Sequence, residues 1–114
     1  MSHPFLKNIQ QQEVLSLAGQ VEVLPGQVVS KTLVQNGAVG LTLFAFAGGE
    51  QISEHDSEGD ALVQVLEGTG EFTVGGKKHM VKQGQALVLP AKVPHAVVAP
   101  ENFKMLLTVV FPQK

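Results

Sequence analysis

The chain of 114 residues contains no cysteine, tryptophan or tyrosine, and because all eight of its basic residues are lysines it has no arginine either. Without cysteine and tyrosine it lacks a thiol nucleophile and a phenolic acid. Without arginine it lacks the planar fork that binds phosphates and guanine edges through two hydrogen bonds. The formal net charge of −2 also argues against the positive surface that nucleic-acid binding requires. These absences exclude nucleic acid as a partner.

Long apolar runs are missing as well. The longest, such as "ALVLP" and "MLLTVVFP", are far shorter than the roughly twenty residues of a membrane-spanning helix. The first residues do not show the basic and then apolar pattern of a secretion signal. We therefore expect a cytoplasmic protein without a membrane partner. Its length favours a single domain over residues 1–114, with the core at about residues 27–112 and an N-terminal extension over residues 1–19.

Glycine and proline occur at nearly even intervals from the middle of the chain onward, and the stretches between them are rich in Val, Leu, Phe and Thr. Short strands separated by regular turn signals indicate an all-β domain, built as a sandwich or a barrel. Gly75 and Gly76 suit a two-residue hairpin, because such turns favour positive φ. Within residues 4–19, the sequence "IQQQEVLSLAG" predicts a short helical or extended segment that ends at Gly19.

Two of the predicted strands, at residues 41–47 and 105–111, carry apolar side chains on both alternating faces. A strand of this kind is buried on both sides, either by a second sheet or by a partner subunit. Small barrels with such strands usually hide one face in a dimer, so we expect a homodimer.

The stretch "SEHDSEGDAL" places the imidazole of His55 among four carboxylates, which are Glu54, Asp56, Glu58 and Asp60. Imidazole and carboxylate groups together are typical of metal sites and of acid–base catalysis. Acids that alternate with other residues are also typical of the solvated edge of a strand. If the acids approach the imidazole, they favour its protonated form, which cannot bind a metal. The stretch alone leaves both interpretations open.

The run "GEQISEHDSEGDALVQVLEG" resembles the first sequence motif of the cupin family. That motif has a glycine, five residues, His-x-His, three or four residues, a glutamate, six residues and a closing glycine. Gly49, His55 and Gly68 occupy matching positions. Ser57 stands at the position of the second histidine, and Ala61 stands at that of the glutamate.

The run "GQALVLPAKVPHAVVA" resembles the second cupin motif, which has a glycine, five residues, Pro-x-Gly, two residues, a histidine, three residues and an asparagine. Gly84, Pro90 and His95 match this motif. Lys92 stands at the position of the second glycine, and Ala99 stands at that of the asparagine. The resemblance covers most of the chain.

The resemblance implies an antiparallel double-sheet β-barrel with jelly-roll topology, as in a small single-domain cupin. It also implies that His55 and His95 face the open end of the barrel and hold a divalent metal there, such as iron, manganese, nickel or zinc. Asp60, next to the glutamate position, is a candidate third ligand if the strand bulges and turns it inward. The implied pocket for a small-molecule ligand contains His55, Ser57, Ala61 and His95.

Two functions fit this incomplete ligand set. The first is a metal-dependent enzyme of the oxygenase or isomerase type that acts on a small organic compound, since two of the family's histidines are present. The second is a metal-free domain that binds or senses a small molecule without catalysis, since Ser57 and Ala61 replace two ligands. A catalytic metal generally needs three protein ligands and an open position. The sequence therefore leaves open whether the protein is an enzyme.

Overall fold

Strands and short turns make up nearly all of the regular structure. In the computed structural model, which describes residues 4–113, there are nine β-strands and one short 3₁₀ turn at Ala18–Gln20. The strands are β1 (Val28–Gln35), β2 (Val39–Phe46), β3 (Gln51–His55), β4 (Asp60–Glu67), β5 (Thr69–Val74), β6 (Lys77–Lys82), β7 (Ala86–Leu89), β8 (His95–Val98) and β9 (Phe103–Val110). The fourth histidine of the sequence, His3, lies outside the described residues.

The strands form two antiparallel sheets with a nested pairing. The five-stranded sheet has the order β1-β2-β9-β4-β7, and the four-stranded sheet has the order β3-β8-β5-β6. From β2 onward, the pairs β2–β9, β3–β8, β4–β7 and β5–β6 enclose one another, which is the jelly-roll arrangement. The predicted all-β, double-sheet fold is confirmed. Within residues 4–113 no strand pairing joins the two sheets, so each keeps two edge strands and the barrel is not closed by hydrogen bonds.

The space between the sheets is filled by side chains from alternating strand positions. On β4, Ala61, Val63 and Val65 are buried, whereas Asp60, Leu62 and Gln64 between them are exposed. Large aromatic rings complete this core, and the ring of Phe46 stacks on that of Phe103 with 4.6 Å between their centroids. Because a shift of one residue would expose the apolar side chains, this burial fixes the register of the strands.

The hairpin between β5 and β6 forms at the predicted glycine pair. Val74 pairs with Lys77, so Gly75 and Gly76 are the two loop residues, with φ angles of 56° and 84°. Positive φ at both loop positions is the requirement of a type I′ turn. This prediction is confirmed.

The N-terminal segment does not form the predicted short helix. Asn8 and Gln12 have φ angles of 61° and 59°, outside the right-handed helical region. The backbone N–H of Lys7 donates to the carbonyl oxygen of Leu33 over 2.8 Å, which ties the segment to β1. Of the two alternatives, the helix is therefore wrong. None of the helical structure in residues 4–113 is long and apolar enough to cross a membrane.

The same segment covers part of the outer face of the five-stranded sheet. Leu17 of the segment and Val21, which follows it, pack with Leu43 and Ala45 of β2. Leu43 and Ala45 have no solvent exposure. The opposite face of β2 contributes Phe46 to the core between the sheets. The two-sided burial predicted for residues 41–47 is thus met within a single chain.

Candidate functional site

Two motif histidines meet at one end of the four-stranded sheet. His55 is the last residue of β3 and His95 is the first residue of β8, and their Cα atoms are partners in the antiparallel ladder. Their Nε2 atoms are 3.2 Å apart, and the two rings are inclined at 71° with 4.4 Å between centroids. The strand register therefore brings together two residues that are forty positions apart in the sequence.

Both imidazole rings are oriented by backbone carbonyl groups two residues earlier in the chain. Nδ1 of His55 lies 2.9 Å from the carbonyl oxygen of Ser53, and Nδ1 of His95 lies 3.3 Å from that of Val93. A carbonyl oxygen only accepts hydrogen bonds, so each Nδ1 carries the hydrogen in these contacts. In the neutral rings, both Nε2 atoms are then unprotonated, and their lone pairs face each other across 3.2 Å.

The two rings differ in their contact with solvent. His55 is exposed, whereas His95 is only 8% exposed. Burial lowers the pKa of His95 below its usual value, and the neighbouring charge of His55 lowers it further. The carbonyl of Val93 and the carboxylate of Asp56 act in the opposite direction without reversing the shift. His95 therefore stays in the neutral form, which binds metals, to a lower pH than an ordinary histidine.

A small cavity of about 90 Å³ opens between the sheets beside the two histidines. Apart from the imidazoles, its lining is apolar and consists of Phe44, Ile52, Val63, Phe72, Leu89, Ala96, Val97, Met105 and Leu107. Many ligand pockets have volumes of roughly 300 to 1,000 Å³, so this one suits only a small group. Among the described residues of the lining there is no lysine that could pair with an anion inside the cavity.

Ser57 and Ala61, the other two expected pocket residues, are not in the cavity lining. Ser57 lies in the loop after β3, where its hydroxyl accepts a hydrogen bond from the backbone N–H of Gly59 over 3.2 Å. Ala61 points inward but is packed in the core, with 3% exposure. The alternation of β3 does not extend to Ser57 because that strand ends at His55.

The candidate third ligand, Asp60, is not brought to the histidines. It is exposed, and its Oδ1 accepts a hydrogen bond of 2.8 Å from the backbone N–H of Ala91. Glu54, Asp56 and Glu58 are exposed as well, so the acidic stretch follows the surface around His55. Within residues 4–113 no group of three His, Cys, Asp or Glu side chains is placed to hold a metal ion.

The histidine pair by itself fits a metal ion. Two nitrogens that both bind one zinc ion at roughly 2.0–2.1 Å lie at most about 4.2 Å apart, and the two Nε2 atoms meet this condition. Both carry free lone pairs, and both rings are oriented by the hydrogen bond at the other nitrogen, as is usual for histidine ligands. A metal ion at this place would be bound by His55 and His95, and water or a bound compound would have to supply its other ligands.

The residues of the cavity wall were not identified from the sequence. Their signal is the alternation of apolar residues in β2, β4 and β9, but a strand that is apolar on both faces does not reveal which face is inside. Phe44 of β2 lines the cavity, whereas its neighbour Leu43 packs against the N-terminal segment. The two faces of β2 are distinguished only by the N-terminal segment, which packs against one of them.

Comparison with known families agrees with this architecture. The family model described as "Cupin domain" matches residues 42–111. The chain belongs to the cupin family. The matched residues include every strand from β3 onward, both histidines of the pair and the whole cavity wall.

Two solved structures resemble this cupin over nearly its whole length. A protein of unknown function from Streptococcus pyogenes is 39% identical, with a TM-score of 0.97 and 100% of each chain covered. A cupin superfamily protein from Desulfitobacterium hafniense is 36% identical, with a TM-score of 0.90, covering 94% of this chain and 98% of the other.

One distant relative of this cupin is an enzyme. Dimethylsulfoniopropionate lyase DddW from Ruegeria pomeroyi is 29% identical over 98 residues, which is 81% of this chain. The chain spans 64% of the length of that lyase.

Proposed function

We propose that this cupin is a metal-dependent enzyme of the oxygenase or isomerase type that acts on a small organic compound. In this proposal His55 and His95 hold a divalent ion, iron, manganese, nickel or zinc, at the entrance of the apolar cavity. An ion held there would polarise an oxygen atom of the bound compound. The protein's own side chains bind the carbon part of the compound and exclude water from it.

The observation that carries the proposal is the facing pair of Nε2 atoms, 3.2 Å apart. With both Nδ1 hydrogens donated to carbonyl oxygens, two neutral rings present two lone pairs to each other and no hydrogen between them. This arrangement is repulsive unless a proton lies between the two nitrogens or a metal ion lies to one side of them. A divalent ion satisfies both lone pairs at once, and the lowered pKa of His95 favours the neutral ring that such an ion requires.

The cavity wall limits the class of compound. A carboxylate in the apolar part of the cavity, away from the histidines and the proposed ion, would lack a positive partner. Burying an unpaired charge costs several kcal/mol or more. The part of the compound that enters is therefore uncharged and has few heavy atoms, in keeping with a volume of about 90 Å³. The polar atoms of the compound that bind the ion stay at the entrance of the cavity, next to the histidines. The likeness to a lyase supports an enzymatic role for this barrel.

Metal binding is the experiment that tests this proposal. Elemental analysis of protein purified without a histidine tag, before and after reconstitution with the four metals, should give one ion per chain. Calorimetric titration with zinc should then show that His95→Ala abolishes binding. Two controls should retain it: Glu58→Ala, because the Glu58 side chain is 76% exposed, and His79→Ala, which removes a histidine of β6 outside the cavity.

Two results would contradict the metal proposal. One is wild-type protein without stoichiometric metal after reconstitution with all four ions. The other is a loss of zinc affinity in Glu58→Ala equal to that in His95→Ala, which would assign the ion to the exposed acidic stretch.

A metal-free binding or sensing domain is the second candidate function. The observation that favours it is the lack of a third His, Asp or Glu ligand near the pair within residues 4–113. One of the two rings then carries a second proton, and the Nε2 atoms share it in a hydrogen bond. Tight binding of a small organic compound by metal-free protein, unchanged by added zinc, would favour this function over the first.

We also propose that the protein is a homodimer. The N-terminal segment leaves part of the outer face of the five-stranded sheet uncovered, where Leu62 and Val88 are cross-strand partners with 36% and 53% exposure. Paired exposed apolar residues of this kind favour association with a second copy. Light scattering at micromolar concentration should give the mass of a dimer, and Val88→Lys should lower it. Met80→Lys, at an equally exposed position on β6, should not.

A further inference from the structure

The turn between β7 and β8 carries an unfavourable backbone conformation. Its four residues are 90–93, and the N–H of Val93 donates to the carbonyl oxygen of Pro90 over 3.2 Å. Lys92 is the third residue of this turn and has a φ of 63°. A type II turn needs positive φ at this position, which glycine adopts freely and lysine does not. The turn therefore depends on contacts from outside itself.

Two such contacts come from the loop after β3 and from the first residue of β4. The backbone N–H of Ala91 donates to Oδ1 of Asp60 over 2.8 Å. The backbone N–H of Lys92 donates to the carbonyl oxygen of Ser57, also over 2.8 Å. The side chains of Lys92 and Glu58 approach to 4.0 Å, but both are largely exposed, so this ion pair adds little. The Asp60 carboxylate is thus the side chain that holds the turn.

The turn in its place orients His95. Its last residue, Val93, supplies the carbonyl oxygen that accepts the hydrogen of Nδ1 of His95. That hydrogen bond selects the tautomer in which Nε2 is free and points it toward Nε2 of His55. Any movement of the turn moves the acceptor, and with it the orientation of the ring.

We infer that Asp60 is a positioning residue that fixes the His95 imidazole through the 90–93 turn, rather than a third metal ligand. It does this as a hydrogen-bond acceptor, so its oxygen atom matters and its charge does not. The inference rests on the proposed metal function only for its zinc readout. The orientation of His95 exists without any metal.

The test compares Asp60→Ala, which removes the acceptor, with Asp60→Asn, which keeps an acceptor oxygen and removes the charge. Nitrogen NMR of metal-free protein, about two pH units above the usual histidine pKa, reports which nitrogen of each ring carries the hydrogen. We expect Asp60→Ala to shift His95 from the Nδ1–H form toward a mixture of tautomers. Asp60→Asn should leave it unchanged. His79 of β6, which lies outside the cavity and away from the turn, is the internal control in both variants.

Zinc titration of the same variants separates positioning from direct ligation. We expect Asp60→Ala to weaken zinc binding about tenfold, as the loss of an indirect partner of a metal ligand typically does. Asp60→Asn should bind nearly as wild type does. Equal weakening in both variants would mean that the carboxylate itself binds the ion, and would overturn the inference.

The zinc titration and the tautomer measurement test the metal function and the positioning role independently. If wild-type protein binds no zinc, the proposed metal function is lost, and the tautomer measurement alone decides the role of Asp60. If Asp60→Ala leaves the tautomer of His95 unchanged, the positioning role is refuted whatever the zinc affinity. A lower melting temperature with an unchanged tautomer would assign Asp60 a structural role only and would refute the inference as well.

Discussion

The two sheets contribute differently to the cavity between them. The four-stranded sheet supplies both imidazoles, from β3 and β8, whereas every lining residue of the five-stranded sheet is apolar. His55 and His95 sit at the ends of strands and are oriented by nearby backbone carbonyls. Val63, on the opposite side, is fully buried. One sheet thus offers groups that bind and titrate, and the other offers a closed apolar wall.

The two motif positions that lack a ligand side chain both lie outside the cavity lining. The glutamate position of the first motif falls on Ala61, which is packed in the core outside the cavity lining and has 3% exposure. The second histidine position falls on Ser57, in a loop bonded to the 90–93 turn. Only the two positions that pair directly across β3 and β8 retain histidine. The site therefore depends on one strand pair and on the loops that hold it.

The largest predicted effect comes from placing a charged ligand in the core, at the glutamate position of the first motif. Ala61→Glu puts a carboxylate into the core, so metal-free protein should lose about 3 kcal/mol of unfolding free energy. If the new carboxylate reaches the ion at His55 and His95, zinc should restore much of this loss, because a ligand of the native state stabilises it by mass action. Urea unfolding with zinc and with a chelator measures both effects.

Ala61→Gln is the matched control for that experiment. It adds a side chain of nearly the same size without a charge, so it should be less destabilising, and zinc should affect it no more than it affects wild type. A variant Ala61→Glu that zinc does not stabilise beyond this control would mean that position 61 does not face the ion. Position 61 on β4 would then lie farther from His55 and His95 than the motif spacing implies.

The second prediction concerns the pH dependence of the free energy of unfolding, to which His95 of the four-stranded sheet contributes. The pKa of His95 is lower in the folded protein than its usual value of 6.5, which applies to the unfolded chain. As pH falls below 6.5, the unfolded chain therefore binds a proton at this residue before the folded protein does. Stability contributed by the neutral ring is therefore complete above that pH and is lost as pH falls toward the folded pKa. The loss has a maximum slope of about 1.4 kcal/mol per pH unit. Urea unfolding of metal-free protein from about pH 7.5 to 5.5 measures it.

His95→Gln should remove this pH dependence, and His79→Ala should keep it. The difference between wild type and His95→Gln isolates the contribution of the ring from that of the surface carboxylates. Parallel pH profiles for wild type and His95→Gln would show that the buried imidazole does not resist protonation.

The features that follow from spacing along the strands were predictable from the sequence. Gly75 and Gly76 marked the hairpin because a two-residue turn has a strict φ requirement. His55 and His95 were chosen from the motif spacing, and the strand register does bring them together. Such positions are governed by regular alternation and pairing, which leave a repeating pattern in the sequence.

The features that depend on loops were not predictable in this way. Asp60 appeared as a candidate ligand because it is next to Ala61, but alternation on β4 turns it to the surface, where it meets Ala91. The register shift between Ile52 and His55 also ends the alternation before the loop begins. The N-terminal segment gave no signal of its path, because its contacts are with distant strands.

The smallest predicted effect concerns the turn that joins the two sheets. Lys92 lies between β7 of the apolar wall and β8 of the histidine sheet, at a φ of 63° that is unfavourable for any residue with a Cβ atom. Lys92→Gly should relieve this conformation, whereas Lys92→Ala keeps it, and both remove the exposed contact with Glu58. Glycine also increases the conformational entropy of the unfolded chain, which offsets part of this stabilisation. The free energy of unfolding of Lys92→Gly should therefore exceed that of Lys92→Ala by about 0.5 to 1 kcal/mol. Urea unfolding of the two variants at neutral pH measures the difference, and since neither variant touches the histidines, the tautomer of His95 serves as a check that the turn is intact. If the glycine variant is no more stable than the alanine variant, the backbone at this position stores no strain, and the contacts from Asp60 and Ser57 have nothing to hold in place.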